Sequence, residues 1–76
     1  MIIMNVIGTT TDGRKAKLEF KEKDDTWEGY YCVDDKCELA LKGKFKLDET
    51  YMKLFAGRVF MEEQGEGDWD LVVEDG

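Results

Sequence analysis

The last sixteen residues of the chain carry the side chains with the clearest chemical bias. This segment, MEEQGEGDWDLVVEDG at residues 61–76, contains seven carboxylates and no lysine or arginine. The carboxylates are Glu62, Glu63, Glu66, Asp68, Asp70, Glu74 and Asp75. Residues 1–60 hold eleven acids and eleven bases, so this segment supplies the entire net charge of −7. Concentrated acid repels nucleic acid and anionic lipid, and it attracts cations and basic proteins.

Alternating residues predict that part of this acidic segment is an ordered strand. Trp69, Leu71 and Val73 alternate with Asp70, Val72 and Glu74. Every second residue of a strand shares a face at a spacing of about 6.7 Å, so Asp68 and Asp70 are expected side by side. Glu62, Glu63 and Glu66 of the preceding strand and turn are expected to add a second row of acids. The paired turn acids Asp24–Asp25 and Asp34–Asp35 are expected to add others if the fold brings them near. Fixed carboxylates avoid the ordering entropy that a loose tail loses on binding.

Two other stretches resemble ligand-binding loops but lack essential residues. GTTTDGRK at residues 8–15 has Arg14 where a phosphate loop needs lysine, and a strand follows instead of a helix. EGDWD at residues 66–70 spaces its oxygen ligands like a calcium loop, but Leu71 occupies the position that requires glycine. A hairpin turn accounts for the first stretch, and the second offers at most a weak divalent site.

Catalytic residues are scarce in this chain. There is no histidine, the side chain that most often serves as a general base or metal ligand. Cys32 and Cys37 bracket VDDK, and a hairpin there makes a disulfide geometrically possible. In a cytosolic chain, two reduced thiols packed as small apolar groups are the favoured interpretation. We therefore expect no enzymatic activity, no cofactor and no metal.

Alternation of apolar and polar residues dominates the chain and predicts short strands. The stretches with this pattern are residues 1–8, 14–23, 27–33, 37–47, 58–63 and 68–75. Asp48 is a good N-cap, and Tyr51, Leu54 and Phe55 follow at helical spacing. They predict a short helix near residues 49–56 that ends at Gly57, with a strand as the alternative. The expected fold is a single, mainly β domain over residues 1–76, a small antiparallel barrel or roll of about six short strands with one short helix.

A lysine stripe on the second predicted strand offers a different kind of surface. Its members are Lys15, Lys17, Lys21 and Lys23. Beside Tyr30 and Tyr31 they form a possible face for single-stranded nucleic acid. Phe20 is predicted on the opposite face, however, and the acidic protein as a whole repels phosphate. A solvated face that discourages pairing between sheets is the favoured interpretation.

In composition the chain resembles the small, acidic, single-domain host-takeover proteins of lytic bacteriophages, several of which are DNA mimics. The resemblance rests on small size, the missing histidine and proline, and the segment EEQGEGDWDLVVEDG. That class includes a Bacillus phage inhibitor of the nucleoid protein HU. The resemblance implies a non-enzymatic inhibitor that binds a basic, DNA-binding protein and competes with DNA. An HU-like nucleoid protein is the first expected partner, and RNA polymerase or another nucleic-acid enzyme the second.

The acids expected to contact this partner are the seven of residues 61–76 together with Asp34 and Asp35, whereas Trp69 is expected in the core. The alternative is a general protein-interaction or structural module whose acidity only keeps it in solution. Its interface is then apolar and uses exposed members of Trp27, Tyr30, Tyr31 and Phe60. The lack of a bilayer-spanning run or secretory signal predicts a cytoplasmic protein. An unpaired terminal strand leaves a homodimer open.

Overall fold

A computed structural model describes residues 1–44 and 46–76 of the chain. Within these ranges the elements are β1 Ile2–Thr9, β2 Lys15–Lys23, β3 Thr26–Val33, β4 Lys36–Gly43, α1 Glu49–Gln64 and β5 Asp70–Asp75. The strands form one antiparallel sheet in the order β4-β3-β2-β1-β5. The mainly β fold with one helix is therefore confirmed. The sheet is open rather than closed into a barrel, and it has five strands in the described part of the chain instead of about six.

Alternation along β2 divides the sheet into two faces, as predicted. Leu18 and Phe20 are fully buried beneath α1, whereas the lysines of β2 point away from the helix. Directly opposed residues of antiparallel strands share a face. Val6 lies opposite both Leu18 and Val73, so the core side of the sheet continues across β1 into β5. We call the side that bears the β2 lysines the open face, because no described element packs on it.

The helix begins where the sequence predicts and ends eight residues later than predicted. Asp48 caps it by accepting a hydrogen bond from the backbone N–H of Tyr51 at 2.7 Å. The prediction of a strand over residues 58–63 is wrong, because α1 continues to Gln64 and ends at Gly65, which has a φ of 92°. Its buried residues are Met52, Ala56, Gly57, Val59 and Phe60. Their helical period continues through Gly57 and outweighs the local strand signal.

Two glycines allow the helix to pack closely on the sheet. A Cβ atom on Gly8 would lie 2.6 Å from the ring of Phe60, which is fully buried against the backbone of β1. A Cβ on Gly57 would lie 3.4 Å from Cδ1 of Leu71 in β5. Gly57 is thus a contact point between α1 and β5, not the residue that ends the helix.

The side of α1 that packs on the sheet differs from the side that the spacing of Tyr51, Leu54 and Phe55 predicts. Leu54 is 69% exposed and Tyr51 is 48% exposed. Only Phe55 of the predicted set reaches the core, where its ring centroid lies 6.3 Å from that of Phe20. The sheet instead packs against the side that contains Ala56, because its small side chain permits close approach. The helix therefore keeps a second apolar side in solvent.

A two-residue turn at Asp34 and Asp35 joins β3 to β4 and sets the two cysteines opposite each other. Val33 lies opposite Lys36, so Cys32 and Cys37 form the next directly opposed pair. Their Cα atoms are 4.1 Å apart and the two sulfur atoms form a disulfide. The expectation of reduced thiols is wrong for this structure. The predicted strand over residues 37–47 ends at Gly43, and position 45 lies outside the described residues.

Candidate acidic binding surface

Three connections of the fold meet at one end of the sheet. Because neighbouring strands are antiparallel, the β1–β2 and β3–β4 turns and the start of β5 lie at the same end. The C-terminus of α1 joins them, since Nε2 of Gln64 donates to the carbonyl oxygen of Lys15 at 2.9 Å. Seven of the nine predicted contact acids lie in or beside these connections. They are Asp34, Asp35, Glu62, Glu63, Glu66, Asp68 and Asp70, and we call them the acidic end.

The β3–β4 turn brings its two aspartates to the acidic end. Asp34 and Asp35 have φ values of 50° and 66°, a left-handed conformation that aspartate tolerates better than most residues. Asp34 lines the same shallow surface depression as Glu63 of α1. The fold thus brings Asp34 beside Glu63, but β2 and β1 separate this turn from β5, so the two aspartates do not lie beside the C-terminal strand.

The last turn of α1 carries two further acids of the site. Glu62 and Glu63 were expected on a strand, and they lie on the helix because α1 is longer than predicted. Both border a second depression with Glu38 of β4, an acid that the sequence did not single out. No local sequence pattern identifies Glu38 as part of this surface, because its position depends on the sheet register that sets it opposite Tyr31.

Arg14 fixes the loop between α1 and β5. One guanidinium nitrogen donates to the carbonyl oxygens of Gln64 and Gly65 at 2.9 and 3.1 Å, and another donates to that of Glu66 at 3.2 Å. A helix leaves its last carbonyl groups without partners, and the bond to Gln64 satisfies one of these in α1. The bonds to Gly65 and Glu66 hold the loop that follows the helix. Nε of Arg14 also donates to Asp12 at 3.0 Å. The bonds from Arg14, followed by one from Thr10, lower the pKa of Asp12 from 3.8 to about 2.

Asp68 ties the same loop to the β1–β2 turn. The hydroxyl of Thr11 donates to Asp68 at 2.6 Å, and the Thr11 backbone N–H donates to it at 3.4 Å. The hydroxyl bond lowers the pKa of Asp68, so the carboxylate is ionised at neutral pH. Next to it, Trp69 packs its ring 5.4 Å from that of Phe60, as its predicted core position requires.

Most carboxylates at the acidic end form no ion pair among the described residues, although Lys36 lines the same depression as Asp34 and Glu63. Of the seven, only Glu62 lies within 4.0 Å of a cationic side chain among the described residues, and that side chain is Arg58. Four strand spacings of about 4.8 Å give a width near 19 Å, or one carboxylate per about 3 Å. Duplex DNA presents one charge per about 1.7 Å of its axis, counting both strands. Counted as carboxylates alone, the acidic end has roughly half the linear charge density of DNA. Arg14, Lys15 and Lys36 lie at the same end of the sheet and reduce its net negative charge.

Two of the predicted contact acids are separated from the rest. Glu74 and Asp75 lie at the opposite end of the sheet, because Asp75 pairs with Met4 near the start of β1. The β2–β3 turn at Asp24–Asp25 lies at that end too. The stretches 58–63 and 68–75, both predicted as strands, do not pair with each other, since the first lies on α1 and β5 pairs with β1. Asp68 also precedes β5, so it does not share a strand face with Asp70.

The open face mixes lysines with acids. Lys21 forms an ion pair with Glu19 at 3.3 Å, and Lys42 of β4 forms one with Glu28 at 3.7 Å. The ring of Tyr30 lies beneath Lys21, with its centroid 5.3 Å from Nζ. Phe20 is on the buried face, as predicted. The stripe is therefore interleaved with negative charge rather than continuous.

Comparisons with protein-family models, curated proteins and solved structures found no match to this chain. Within residues 1–44 and 46–76, no helix is long and apolar enough to cross a membrane. No group of three or more cysteine, aspartate or glutamate side chains in those ranges has the geometry to hold a metal ion.

Proposed function

We propose that this protein is a non-enzymatic inhibitor that binds a basic, DNA-binding protein through the acidic end and competes with DNA. The observation that supports the proposal is the convergence of seven carboxylates from two connections, the β3–β4 turn and the segment that leads from α1 into β5. Six of the seven form no ion pair among the described residues. The loop of the acidic end is held by Arg14 and Thr11. An HU-like nucleoid protein in the bacterial cytoplasm is the leading target, as the resemblance to phage host-takeover proteins implies.

Electrostatics explains how such a surface would inhibit its target. A DNA-binding protein presents lysine and arginine side chains at the positions of phosphates. Fixed carboxylates attract the same side chains and accelerate encounter through long-range steering. Their fixed positions reduce the entropy lost on binding. Added salt screens this attraction beyond about 10 Å at 0.1 M, so the affinity should fall steeply as salt rises.

Neutralising the two ends of the sheet separately tests the proposal. The test variant carries Asp34→Asn, Asp35→Asn, Glu63→Gln and Glu66→Gln at the acidic end. Its matched control carries Asp24→Asn, Asp25→Asn, Glu74→Gln and Asp75→Asn at the opposite end, so both variants lose the same charge. Asparagine also tolerates the left-handed backbone of both turns.

Binding to purified HU, measured by titration calorimetry with and without duplex DNA, is the readout. We expect the test variant to bind at least about tenfold more weakly, because each charge pair at such an interface contributes on the order of 1.5 kcal/mol or more. The control should bind like the natural chain, and DNA should displace both. Equal loss in the two variants, or binding that DNA and salt leave unchanged, would contradict the proposal.

The alternative function is a protein-interaction module with an apolar interface, and the four aromatic residues expected to form that interface are not exposed. Trp27 and Phe60 are buried, and Tyr30 and Tyr31 are half-buried. The exposed apolar residues instead include Leu54 and Met61 on α1 and Leu39 and Val72 on the two edge strands. The third candidate function is the binding of single-stranded nucleic acid on the open face. It predicts a mobility shift with an oligonucleotide that Lys17→Gln abolishes.

A further inference from the structure

The outer edge of β5 is unpaired. This strand pairs with β1 on one side, and no described residue pairs with the other side. Alternate residues of such an edge direct backbone N–H and C=O groups outward, where another strand can bind them.

An apolar groove runs along the same edge. It has a volume of about 590 Å³ and lies between α1 and β5, with Leu54 and Met61 on one wall and Leu71 on the other. Leu54 is 69% exposed and Met61 is 40% exposed, so the second apolar side of the helix forms this wall. Gly57 lets Leu71 approach the helix and forms part of the lining. The groove can therefore receive alternate side chains of a strand added at β5.

The open-face side of β5 specifies the charge of such a strand. Asp70, Val72 and Glu74 point to that face, and Val72 is 47% exposed. No described cationic side chain forms an ion pair with Asp70 or Glu74. A residue directly opposite each of these carboxylates is favoured if it is lysine or arginine.

Like charges disfavour the pairing of two copies along this edge in the register centred on Val72. In a two-fold antiparallel pairing centred on Val72, Asp70 of each copy lies opposite Glu74 of the other. Like charges directly opposite each other destabilise a sheet. The same charges favour a basic strand from a different protein.

We propose that the β5 edge binds an extended, basic–apolar peptide segment of a partner protein as a sixth, antiparallel strand. Backbone hydrogen bonds to β5 supply affinity, and the two rows of side chains supply specificity. Apolar residues of the peptide enter the groove beside Leu71, and lysine or arginine residues lie opposite Asp70 and Glu74. This site shares only Asp70 with the acidic end and does not depend on the other six carboxylates of that surface.

A peptide of sequence TKLVLKT, acetylated and amidated at its ends, is the probe. Its lysines and central valine fall on one face, opposite Glu74, Val72 and Asp70, and its leucines fall on the groove face. Titration into the isotope-labelled full chain, followed by NMR, should shift the amide signals of β5 and of the outward side of α1. Two further peptides carry N-methyl groups on the odd or the even residues. One of them should lose binding, because it cannot donate to the strand edge.

Single-site variants test whether peptide binding requires the groove or occurs at any exposed apolar residue. Leu54→Gln should weaken binding of the peptide about tenfold, since burial of a leucine side chain is lost. Leu39→Gln, at another exposed leucine on the β4 edge, should leave binding unchanged. Substitution of Asp70→Asn with Glu74→Gln should also weaken it, whereas the four substitutions at the acidic end should not. Equal binding by all three peptides, shifts confined to β4, or a free protein that already dimerises through β5 would overturn the proposal.

Discussion

The guanidinium of Arg14 lies 5.3 Å from the ring centroid of Trp69 while it donates hydrogen bonds to three carbonyl groups at the end of α1. A residue of the β1–β2 turn thus holds the loop that leads into β5. Gly67 makes the contact possible, because any side chain there would collide with the guanidinium. Together with the bonds from Thr11 to Asp68, this side chain holds the loop between α1 and β5 in place.

Replacement of Arg14 by lysine should loosen the loop, because lysine keeps the charge but lacks the planar fork. We expect faster amide exchange at residues 65–69 and a loss of about 2 kcal/mol in the free energy of unfolding, the range for hydrogen bonds to a charged group. Chemical denaturation and hydrogen exchange measure the two effects. Lys23→Ala, an exposed position without an ion pair among the described residues, is the control and should change neither. Unchanged exchange in Arg14→Lys would refute this role.

The acid sensitivity of the fold should depend on Asp12. Its pKa in the folded chain, about 2, lies below its ordinary value of 3.8. The ionised form therefore stabilises the folded state above pH 3.8, and this contribution disappears as the pH falls towards about 2. An NMR titration of the carboxyl carbon should give the low pKa, and Arg14→Gln should raise it. Asp12→Asn should flatten the dependence of unfolding on pH within that window. A normal titration of Asp12 in the natural chain would contradict the geometry.

Two glycine-to-alanine substitutions should have different effects. Gly8→Ala should reduce the free energy of unfolding by about 1–3 kcal/mol, because its methyl group enters the ring of Phe60 and over-packs the core. Gly57→Ala should be neutral or stabilising by up to about 1 kcal/mol, since alanine favours a helix and its methyl group only touches Leu71. Thermal and chemical denaturation of the pair provide the measurement. A tolerated Gly8→Ala would show that α1 does not pack closely on β1.

Reduction of the Cys32–Cys37 disulfide should destabilise the chain modestly. The bond closes a short loop, with a separation of five residues. The chain-entropy model gives about 2 kcal/mol for a loop of that size. Denaturation with and without a reducing agent should show this difference, and thiol titration of the unreduced protein should find no free sulfhydryl. The double variant Cys32→Ala with Cys37→Ala should not respond to the reductant. Free thiols in the unreduced protein would contradict the bond.

Short-range signals in the chain identified much of the fold. Strand alternation assigned Leu18 and Phe20 to the core and the β2 lysines to the opposite face. Asp48 marked the start of α1, and Asp12–Gly13 marked the first turn. These features follow from the local preferences of a few neighbouring residues, so the sequence alone is sufficient to find them.

The sequence also determined the charge asymmetry and the identity of most acids at the candidate site. Only the tertiary structure decided which of them meet. The length of α1 depends on the burial of Phe60 against Gly8, a contact between distant residues, and it moved Glu62 and Glu63 from a strand to a helix. The antiparallel pairing of β5 with β1 places Glu74 at the end of the sheet opposite the acidic end, and no described strand pairs with the other edge of β5. Register and packing arise from contacts across the whole chain, so no local pattern of residues specifies them.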